Sequence, residues 1–218
     1  MTNPLMEYLP PLQQQPQAPQ QRQAYATGGA LKYQNPEIAK AFDAKRKDDP
    51  KRVISKNAVK AMLEAVTQGA LVLDAGCGTG LMFNYFVERG FNVLGVDLSQ
   101  AMLDEAGKKL DAHKAAGRLK SEFRLARGSI LGLPIAEKAF DASVMIDLTR
   151  WLSPSECQKA LQELQRVTKS RIIWTARIAN HKDARTVELF EAVLDGWKIT
   201  GNVAGEDVDY RILMAEPT

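Results

Sequence analysis

The segment Leu71–Gly80, which reads LVLDAGCGTG, constrains the fold of this 218-residue chain more than any other stretch. A short apolar run, Leu71–Leu73, ends in Asp74 and leads directly into a turn with three alternating glycines. The apolar run predicts a buried strand, and Leu81–Arg89 after the turn has the pattern of a helix. Glycine has no Cβ, so a glycine-rich backbone lets a ligand approach closely. The segment therefore predicts a ligand-binding turn between a strand and a helix.

The rest of the chain repeats this alternation of short apolar runs and amphipathic segments. Further strands are predicted at Phe91–Val96, Glu122–Leu125, Phe140–Ile146 and Arg171–Thr175. Further helices are predicted at Glu37–Lys47, Ser55–Gln68, Ser99–Ala116, Pro154–Thr168 and Ala184–Leu194. The last two apolar runs, Trp197–Val203 and Tyr210–Ala215, have no helix between them and predict a hairpin-like return. The pattern predicts an α/β fold: a doubly wound, mostly parallel Rossmann-like sheet with an antiparallel final strand.

Composition divides the chain into three regions. Residues Pro10–Gln23 read PPLQQQPQAPQQRQ and cannot bury enough apolar surface to offset the entropy of ordering, so residues 1–30 are predicted to be a flexible Gln/Pro-rich tail. Residues 31–54 are predicted to be a lid segment, with Tyr33 and Phe42 as its aromatic side chains. Residues 55–218 are predicted to be the folded domain, whose first helix would begin at a capping Ser55.

The overall composition excludes several classes of protein. Hydrophobic residues make up 45% and charged residues 25%, which is typical of a globular domain. No apolar run approaches the roughly 20 residues of a membrane span and no secretory signal is evident, so a cytoplasmic protein without membrane contact is predicted. Two cysteines and two histidines make a zinc site hard to assemble, and no metal is expected. The net charge of +3 is mild, and acidic residues interrupt the basic stretches, which favours a solvated surface over a nucleic-acid site.

Three details of the glycine turn and the next strand narrow the ligand. Gly76, Gly78 and Gly80 are spaced G-x-G-x-G, whereas the dinucleotide pattern is G-x-G-x-x-G. Asp74 ends the first strand, where a carboxylate repels a pyrophosphate and attracts an ammonium group. Asp97 ends the second strand, where an acid can accept both hydroxyls of a ribose. These features call for a ligand with a ribose, an ammonium group and a carboxylate but little phosphate, and S-adenosylmethionine is such a ligand.

The same segments resemble the class I S-adenosylmethionine-dependent methyltransferases. LVLDAGCGTG looks like the first motif of that family, and GVDLSQAMLDEA, from Gly95 to Ala106, resembles the second. GSILGLPIAEKAFDASVMID, from Gly128 to Asp147, resembles the third region of the small-molecule, type 11-like branch. The resemblance covers residues 55–215 in the order of elements and is strongest from 71 to 147.

The resemblance implies a set of cofactor-binding residues. Asp74, Ala75 and Gly76 would hold the methionine end, Asp97 the ribose, and Leu98 and Met102 the adenine. The family usually has an acidic residue after the third strand, where this sequence has Ser129; its hydroxyl and the Ile130 amide are expected to meet the adenine edge, with weaker affinity. The predicted cofactor-binding residues are Asp74, Ala75, Gly76, Cys77, Gly78, Gly80, Asp97, Leu98, Met102, Ser129 and Ile130. Among them Cys77 is read as a small packed residue and no nucleophile.

Candidate catalytic residues follow the fourth and fifth strands. Asp147 and Arg150, beside Trp151, come after the fourth strand, and His181 comes after the fifth, so all three candidates would face the acceptor. A general base is needed only when the acceptor must lose a proton. Neither Asn-Pro-Pro-Tyr nor Asp-Pro-Pro-Tyr follows the fourth strand, which disfavours amino methylation of adenine or glutamine.

The leading interpretation is methyl transfer by direct in-line displacement to a small or medium-sized acceptor. Two alternatives stay open. The acceptor is a macromolecule, protein or nucleic acid, or the fold serves as an interaction or structural module with weak or no catalysis, its N-terminal tail binding a larger assembly. An NAD-dependent enzyme is disfavoured by the glycine spacing and by Asp74.

Overall fold

A computed structural model describes residues 31–177, 190–204 and 210–218. The predicted tail of residues 1–30, the candidate His181 and most of the predicted helix Ala184–Leu194 lie outside these ranges. The described residues form one seven-stranded sheet in the order β3-β2-β1-β4-β5-β7-β6. The strands are β1 (Leu71–Ala75), β2 (Asn92–Asp97), β3 (Phe123–Arg127), β4 (Phe140–Met145), β5 (Thr168–Arg177), β6 (Trp197–Ala204) and β7 (Tyr210–Pro217).

Local signals in the sequence set the helix termini. The helices are α1 (Pro36–Lys45), α2 (Pro50–Met62), α3 (Phe83–Arg89), α4 (Gln100–Ala115) and α5 (Pro154–Val167). Ser99 caps α4 by accepting a hydrogen bond from the Met102 amide at 3.2 Å, as predicted. Ser153 and Glu156 form a reciprocal capping box at the start of α5. Gly90 ends α3 in the left-handed conformation.

The sheet has the predicted topology. β1 to β5 run parallel, and the strand order reverses at β1, which lies between β2 and β4. β7 is antiparallel to both of its neighbours, β5 and β6. The prediction of a doubly wound, mostly parallel sheet with an antiparallel final strand is therefore confirmed. In such a sheet, ligands bind beyond the carboxyl ends of the strands, next to the reversal.

Each face of the sheet carries its own hydrophobic core, because successive strand residues point to opposite sides. Leu73 of β1 belongs to the core that contains Leu161 and Leu164 of α5. Its neighbour Val72 belongs to the other core, together with Phe86 of α3. Covering both faces holds the sheet rigid, so the loops at its carboxyl edge have a fixed base. None of the helices in the described part of the chain has both the length and the apolar character needed to cross a bilayer.

The predicted start of the first domain helix at Ser55 is wrong. The helix α2 begins at Pro50, and its cap is Asp49, whose carboxylate accepts a hydrogen bond from the Lys51 amide at 3.0 Å. Ser55 lies buried inside the helix, where its hydroxyl donates to the Lys51 carbonyl. An Asp-Pro pair is the stronger start signal, because proline is pre-organised for the first helical turn. One helix therefore crosses the predicted boundary between the lid segment and the domain.

Candidate functional site

A cavity of about 370 Å³ opens at the carboxyl ends of β1, β2 and β4. The glycine turn after β1 forms one wall, and the loops after β2, β3 and β4 form others. The segment that precedes β1 in the chain closes it, through a 3-10 turn at Leu31–Gln34 and the helices α1 and α2. The Gln34 side chain and the Ser99 hydroxyl bind this segment to the loop after β2, donating to the Leu98 and Tyr33 carbonyls at 3.2 and 2.6 Å.

The glycine turn needs glycine for reasons of space as well as backbone conformation. Gly76 has φ +75°, and a Cβ there would lie 2.6 Å from the Leu148 side chain. Gly80 has φ +79°, and a Cβ there would lie 2.5 Å from the ring of Phe83. The turn is also fixed to β2, because the Gly76 amide donates to the Val96 carbonyl at 2.7 Å. The result is a rigid cradle whose inner surface is mostly backbone.

Asp97, at the end of β2, is held by backbone amides. The Gly78 amide donates to its Oδ2 atom and the Ser99 amide to its Oδ1 atom, both at 2.8 Å. Burial raises the pKa of this carboxyl, although these backbone hydrogen bonds act in the opposite direction. Each carboxylate oxygen has two lone pairs, so each can still accept from a ligand hydroxyl.

Asp74, at the end of β1, lies almost fully buried against the same cavity, with 4% of its surface exposed. Burial, together with repulsion from Asp97, raises its pKa to about 7. Two buried carboxyl groups that line one cavity form a site to which a cationic ligand is attracted.

Asp43 of α1 links four parts of the structure. It accepts a hydrogen bond from Thr79 of the glycine turn at 2.9 Å and forms ion pairs with Arg52 of α2 at 2.6 Å and Lys109 of α4 at 2.5 Å. Burial acts to raise the pKa of Asp43, but the hydrogen bonds with Lys109 and Arg52 outweigh it, and the pKa is lowered. This group of contacts fixes the covering helices to the glycine turn.

Three aromatic rings line the cavity where the covering segment meets the loop after β4. Tyr33 packs edge-on against Phe42 and Trp151, with ring centroids 5.4 and 5.5 Å apart. The guanidinium groups of Arg46 and Arg52 lie 4.8 and 5.4 Å from the centroid of Phe42. We call Tyr33, Phe42 and Trp151 the aromatic wall. Both aromatic residues predicted for the lid segment therefore line the cavity.

The structure brings most of the predicted site residues to this cavity. Those that line it are Asp74, Gly76, Cys77, Gly78, Asp97, Leu98, Met102, Ile130 and Asp147. Ala75 is buried in the core instead, and Gly80 lies against Phe83 behind the turn. His181 lies outside the described residues.

Ser129 and Arg150 do not line the cavity either. The Ser129 hydroxyl is buried and accepts a hydrogen bond from the Leu131 amide at 3.1 Å, so it stabilises its own turn. Arg150 is exposed, with its guanidinium 4.9 Å from the ring of Trp151. Beside Leu98 the cavity is lined by Arg127, whose side chain donates to the Leu98 carbonyl at 3.2 Å.

Asp147 has an unusual backbone conformation. Its φ is +57°, which is uncommon for a residue other than glycine. The Asp147 amide donates to the Thr175 hydroxyl of β5 at 2.6 Å, and the Thr149 hydroxyl donates to the Thr175 carbonyl at 2.8 Å. These bonds fix the loop after β4, and the Asp147 carboxylate lies 3.8 Å from the guanidinium of Arg46.

Apart from the capping Ser99, sequence analysis did not place five polar residues of this cavity at the site: Gln34, Arg46, Arg52, Thr79 and Arg127. Thr79 lies inside the glycine-rich segment Leu71–Gly80, and its hydroxyl is the feature that could have indicated a polar contact there. The two arginines of the covering segment lie in one of the basic stretches that acidic residues interrupt. Spacing alone does not distinguish them from surface charges, because Asp147 meets Arg46, and Asp43 meets Arg52, only once the chain has folded.

Known proteins resemble the part of the chain that forms much of this cavity. Residues 72–171 match the family model described as a methyltransferase domain. The matched segment runs from β1 into β5, so this part of the chain is similar to methyltransferase domains. The resemblance stated from the sequence is thereby confirmed.

Two curated relatives and one solved structure illustrate the range of similar proteins. The demethylmenaquinone methyltransferase of Thermobifida fusca is 33% identical over 142 residues, which are 61% of this chain and 57% of that protein. The 18S rRNA (guanine-N(7))-methyltransferase of Bos taurus is 37% identical over 81 residues, 37% of this chain and 26% of that protein. The chain thus spans 57% and 26% of the length of these two relatives.

The magnesium protoporphyrin IX methyltransferase of Synechocystis PCC 6803, solved with bound S-adenosylmethionine, shares the fold with a TM-score of 0.64. It is 22% identical, and the likeness covers 77% of this chain and 79% of that one.

The residues of this cavity fit S-adenosylmethionine, the molecule bound in that solved structure. The cradle around Gly76 has no room for a Cβ, which leaves its inner surface open for a ligand against the backbone. The buried Asp74 offers a counter-charge for an ammonium group, and Asp97 offers oriented acceptors for hydroxyls.

Proposed function

We propose that this protein transfers the methyl group of S-adenosylmethionine to a small or medium-sized acceptor by direct in-line displacement. The observation that carries the proposal is the continuity of one cavity from the buried Asp74 and Asp97 to the aromatic wall. A cavity covered by α1 and α2 favours an acceptor that enters a cleft over one bound on an open face.

The cofactor end of the cavity is proposed to work through fixed charges. Asp97 accepts hydrogen bonds from the ribose hydroxyls while the Gly78 and Ser99 amides hold its carboxylate in place. Asp74 faces the methionine end and, once an ammonium group is nearby, gives up its proton. When bound, the cofactor supplies a methyl group on a sulfonium, which is already a strong electrophile.

The acceptor end is proposed to orient the acceptor and exclude water. When a reaction needs little acid–base assistance, aligning the two reactants at contact distance can remove a large part of the activation barrier. The aromatic wall supplies an apolar surface for this alignment. Asp147 lines the same end, and its carboxylate is the proposed group to receive a proton from an acceptor that must lose one.

Binding and transfer of the purified full chain test this proposal separately. Calorimetry should detect binding of S-adenosylhomocysteine. Asp97→Asn should weaken this binding about tenfold or more, since hydrogen bonds to a charged acceptor are strong. Asp111→Asn is the control, because the Asp111 side chain is 77% exposed and remote from the cavity. Absence of binding at millimolar ligand would overturn the cofactor role.

Methyl transfer is then followed with labelled S-adenosylmethionine and cell extract divided by molecular mass. Label in the low-mass fraction is the expected result. Label in the protein or nucleic-acid fraction alone would overturn the small-acceptor proposal, and binding without any transfer would point to an interaction module.

Macromolecular methylation is the second candidate, favoured by the rRNA methyltransferase among the relatives. The basic stretch of the chain continues from α4 through β3 with Lys114, Arg118, Lys120 and Arg124. Binding of a polyanion to these residues should weaken steeply as salt is raised, because counterions are released on binding. A flat salt response would exclude this candidate.

A further inference from the structure

Four cationic side chains contact the rings of the aromatic wall, and two of them, Arg46 and Arg52, line the cavity. Lys32 lies 5.0 Å from the ring centroids of both Tyr33 and Trp151. Arg46 and Arg52 lie against Phe42, and Arg150 lies against Trp151. Of these cations Arg46 lies near Asp147, and Arg52 pairs with Asp43, which Lys109 also contacts. Cations already occupy positions over these rings, so a positively charged acceptor would be repelled.

The two arginines that line this end differ in how far their charge is already satisfied. Arg52 forms a close ion pair with Asp43 at 2.6 Å, and its side chain is only 10% exposed. Arg46 lies 3.8 Å from Asp147, which is beyond hydrogen-bond distance, and its side chain is 23% exposed. The Arg46 guanidinium therefore donates no hydrogen bond to that carboxylate. The same guanidinium lines the cavity.

Arg46 also has the geometry of a recognition group. A guanidinium is planar and presents parallel N–H donors that match the two oxygens of a carboxylate. Phe42 supports this plane from one side, with the guanidinium carbon 4.8 Å from its ring centroid. An acid that binds Arg46 would therefore place the rest of its structure against the aromatic wall.

We propose that the methyl acceptor is a planar aromatic acid, whose ring packs on the aromatic wall and whose anionic group is bound by Arg46. This inference rests on the proposed function and names its substrate class. Arg46 is the specificity-determining residue of this site. In the absence of the acid, the nearby Asp147 keeps the guanidinium of Arg46 at the cavity.

A matched set of ligands separates the charge of the acceptor from its shape. Calorimetry on the full chain, saturated with S-adenosylhomocysteine, compares naphthoate, naphthamide and decalin carboxylate. Naphthamide keeps the planar ring without the charge, and decalin carboxylate keeps the charge without the planar ring. Naphthoate should bind about tenfold more tightly than either, as expected for the loss of one charge-assisted hydrogen bond or of the aromatic packing.

Substitution of Arg46 tests the residue itself. Arg46→Met should weaken naphthoate about tenfold and leave naphthamide and S-adenosylhomocysteine unchanged. Arg46→Lys should give an intermediate loss, because it keeps the charge but not the paired donors. Lys45→Met, which removes a charge from the neighbouring exposed position, should change nothing. Intact S-adenosylhomocysteine binding in each variant also shows that it has folded.

The outcomes distinguish the two proposals. If S-adenosylhomocysteine does not bind the unaltered chain, the proposed function itself fails. If it binds, but naphthoate and naphthamide bind equally well, or Arg46→Met and Lys45→Met have equal effects, the inference about the acceptor is overturned and the proposed function stands.

Discussion

The hydroxyl of Thr79 donates a hydrogen bond of 2.9 Å to the carboxylate of Asp43. One partner belongs to the glycine turn, which is proposed to hold the cofactor, and the other to α1, which covers the proposed acceptor end. Asp43 also pairs with Arg52 and Lys109, so the covering helices and α4 share a single anionic anchor. Cofactor binding and closure over the acceptor are therefore expected to be coupled.

A double-mutant cycle measures this coupling. Thr79→Val removes the hydroxyl without changing the shape of the side chain, and should weaken S-adenosylhomocysteine about fivefold. Asp43→Asn should weaken it as well, and should lower the free energy of unfolding by about 2 kcal/mol because Arg52 loses its counter-charge. The double variant should lose less than the two single losses combined. Thr79→Ser, which keeps the hydroxyl, is the control; fully additive losses would contradict the coupling.

Gly76 and Gly107 form a matched pair for the cradle. Gly76→Ala should cost about 2 kcal/mol or more in unfolding free energy, since its φ is +75° and the new Cβ would lie 2.6 Å from Leu148. Gly107 lies inside α4 with nothing within 4 Å of a Cβ, so Gly107→Ala should stabilise by about 0.5–1 kcal/mol. Urea denaturation reads both values. Equal effects at the two positions would show that the turn tolerates a side chain.

The raised pKa of Asp74 makes the stability of the ligand-free protein depend on pH. The carboxyl titrates near pH 7 in the folded protein and near pH 4 when unfolded, so the folded state binds this proton more tightly. The contribution of Asp74 to stability is therefore fully present below about pH 4 and is lost as the pH rises through about 7. Asp74→Asn should remove this part of the pH dependence, as measured by urea denaturation at a series of pH values.

The same carboxyl should make cofactor binding release a proton. Below about pH 7 an ammonium group displaces the Asp74 proton, so the affinity for S-adenosylhomocysteine should fall as the pH is lowered from about 8 to about 6. Calorimetry in two buffers of different ionisation enthalpy counts the released protons. Asp74→Asn should release fewer; an unchanged count would assign the proton to another group.

Asp147 allows its backbone role to be separated from its charge. Because its φ is +57°, Asp147→Gly should be tolerated, whereas Asp147→Ala should lose about 1 kcal/mol of unfolding free energy. Asp147→Asn suits the same backbone but removes the charge, so it should reduce methyl transfer while S-adenosylhomocysteine binding stays the same. Arg150→Met should reduce transfer less, because Arg150 does not line the cavity. The labelled-transfer assay decides between them, and a larger loss at Arg150 would contradict the assignment.

The fold and the strand-end residues of the proposed cofactor end could be predicted because their signals are local. Asp74 and Asp97 each end an apolar run, and the carboxyl ends of neighbouring parallel strands necessarily meet at one edge of the sheet. Ser99 announces the start of α4 by its position alone. Asp49 and Pro50 indicate the start of α2 just as clearly. The prediction at Ser55 was wrong because it relied on the spacing of the apolar residues instead of this pair.

The acceptor end could not be predicted in the same way, because its contacts join residues far apart in sequence. Asp43 meets Thr79 and Lys109, and Arg46 meets Asp147, only once the covering helices have packed on the sheet. Ser129 shows the opposite limit. Its hydroxyl accepts a hydrogen bond from the amide two residues further along the chain. The presence of a serine does not by itself show whether the hydroxyl will bond to the nearby backbone or to a ligand.

The position of β7 between β5 and β6 sets an order of events during synthesis. The strand β6 leaves the ribosome before β7, yet within the described residues its strand partner is β7 alone. It therefore waits as an unpaired segment until Tyr210–Pro217 has been made and has paired with β5. The five parallel strands can assemble while the chain is still growing, whereas this edge of the sheet closes only after β7 has been made.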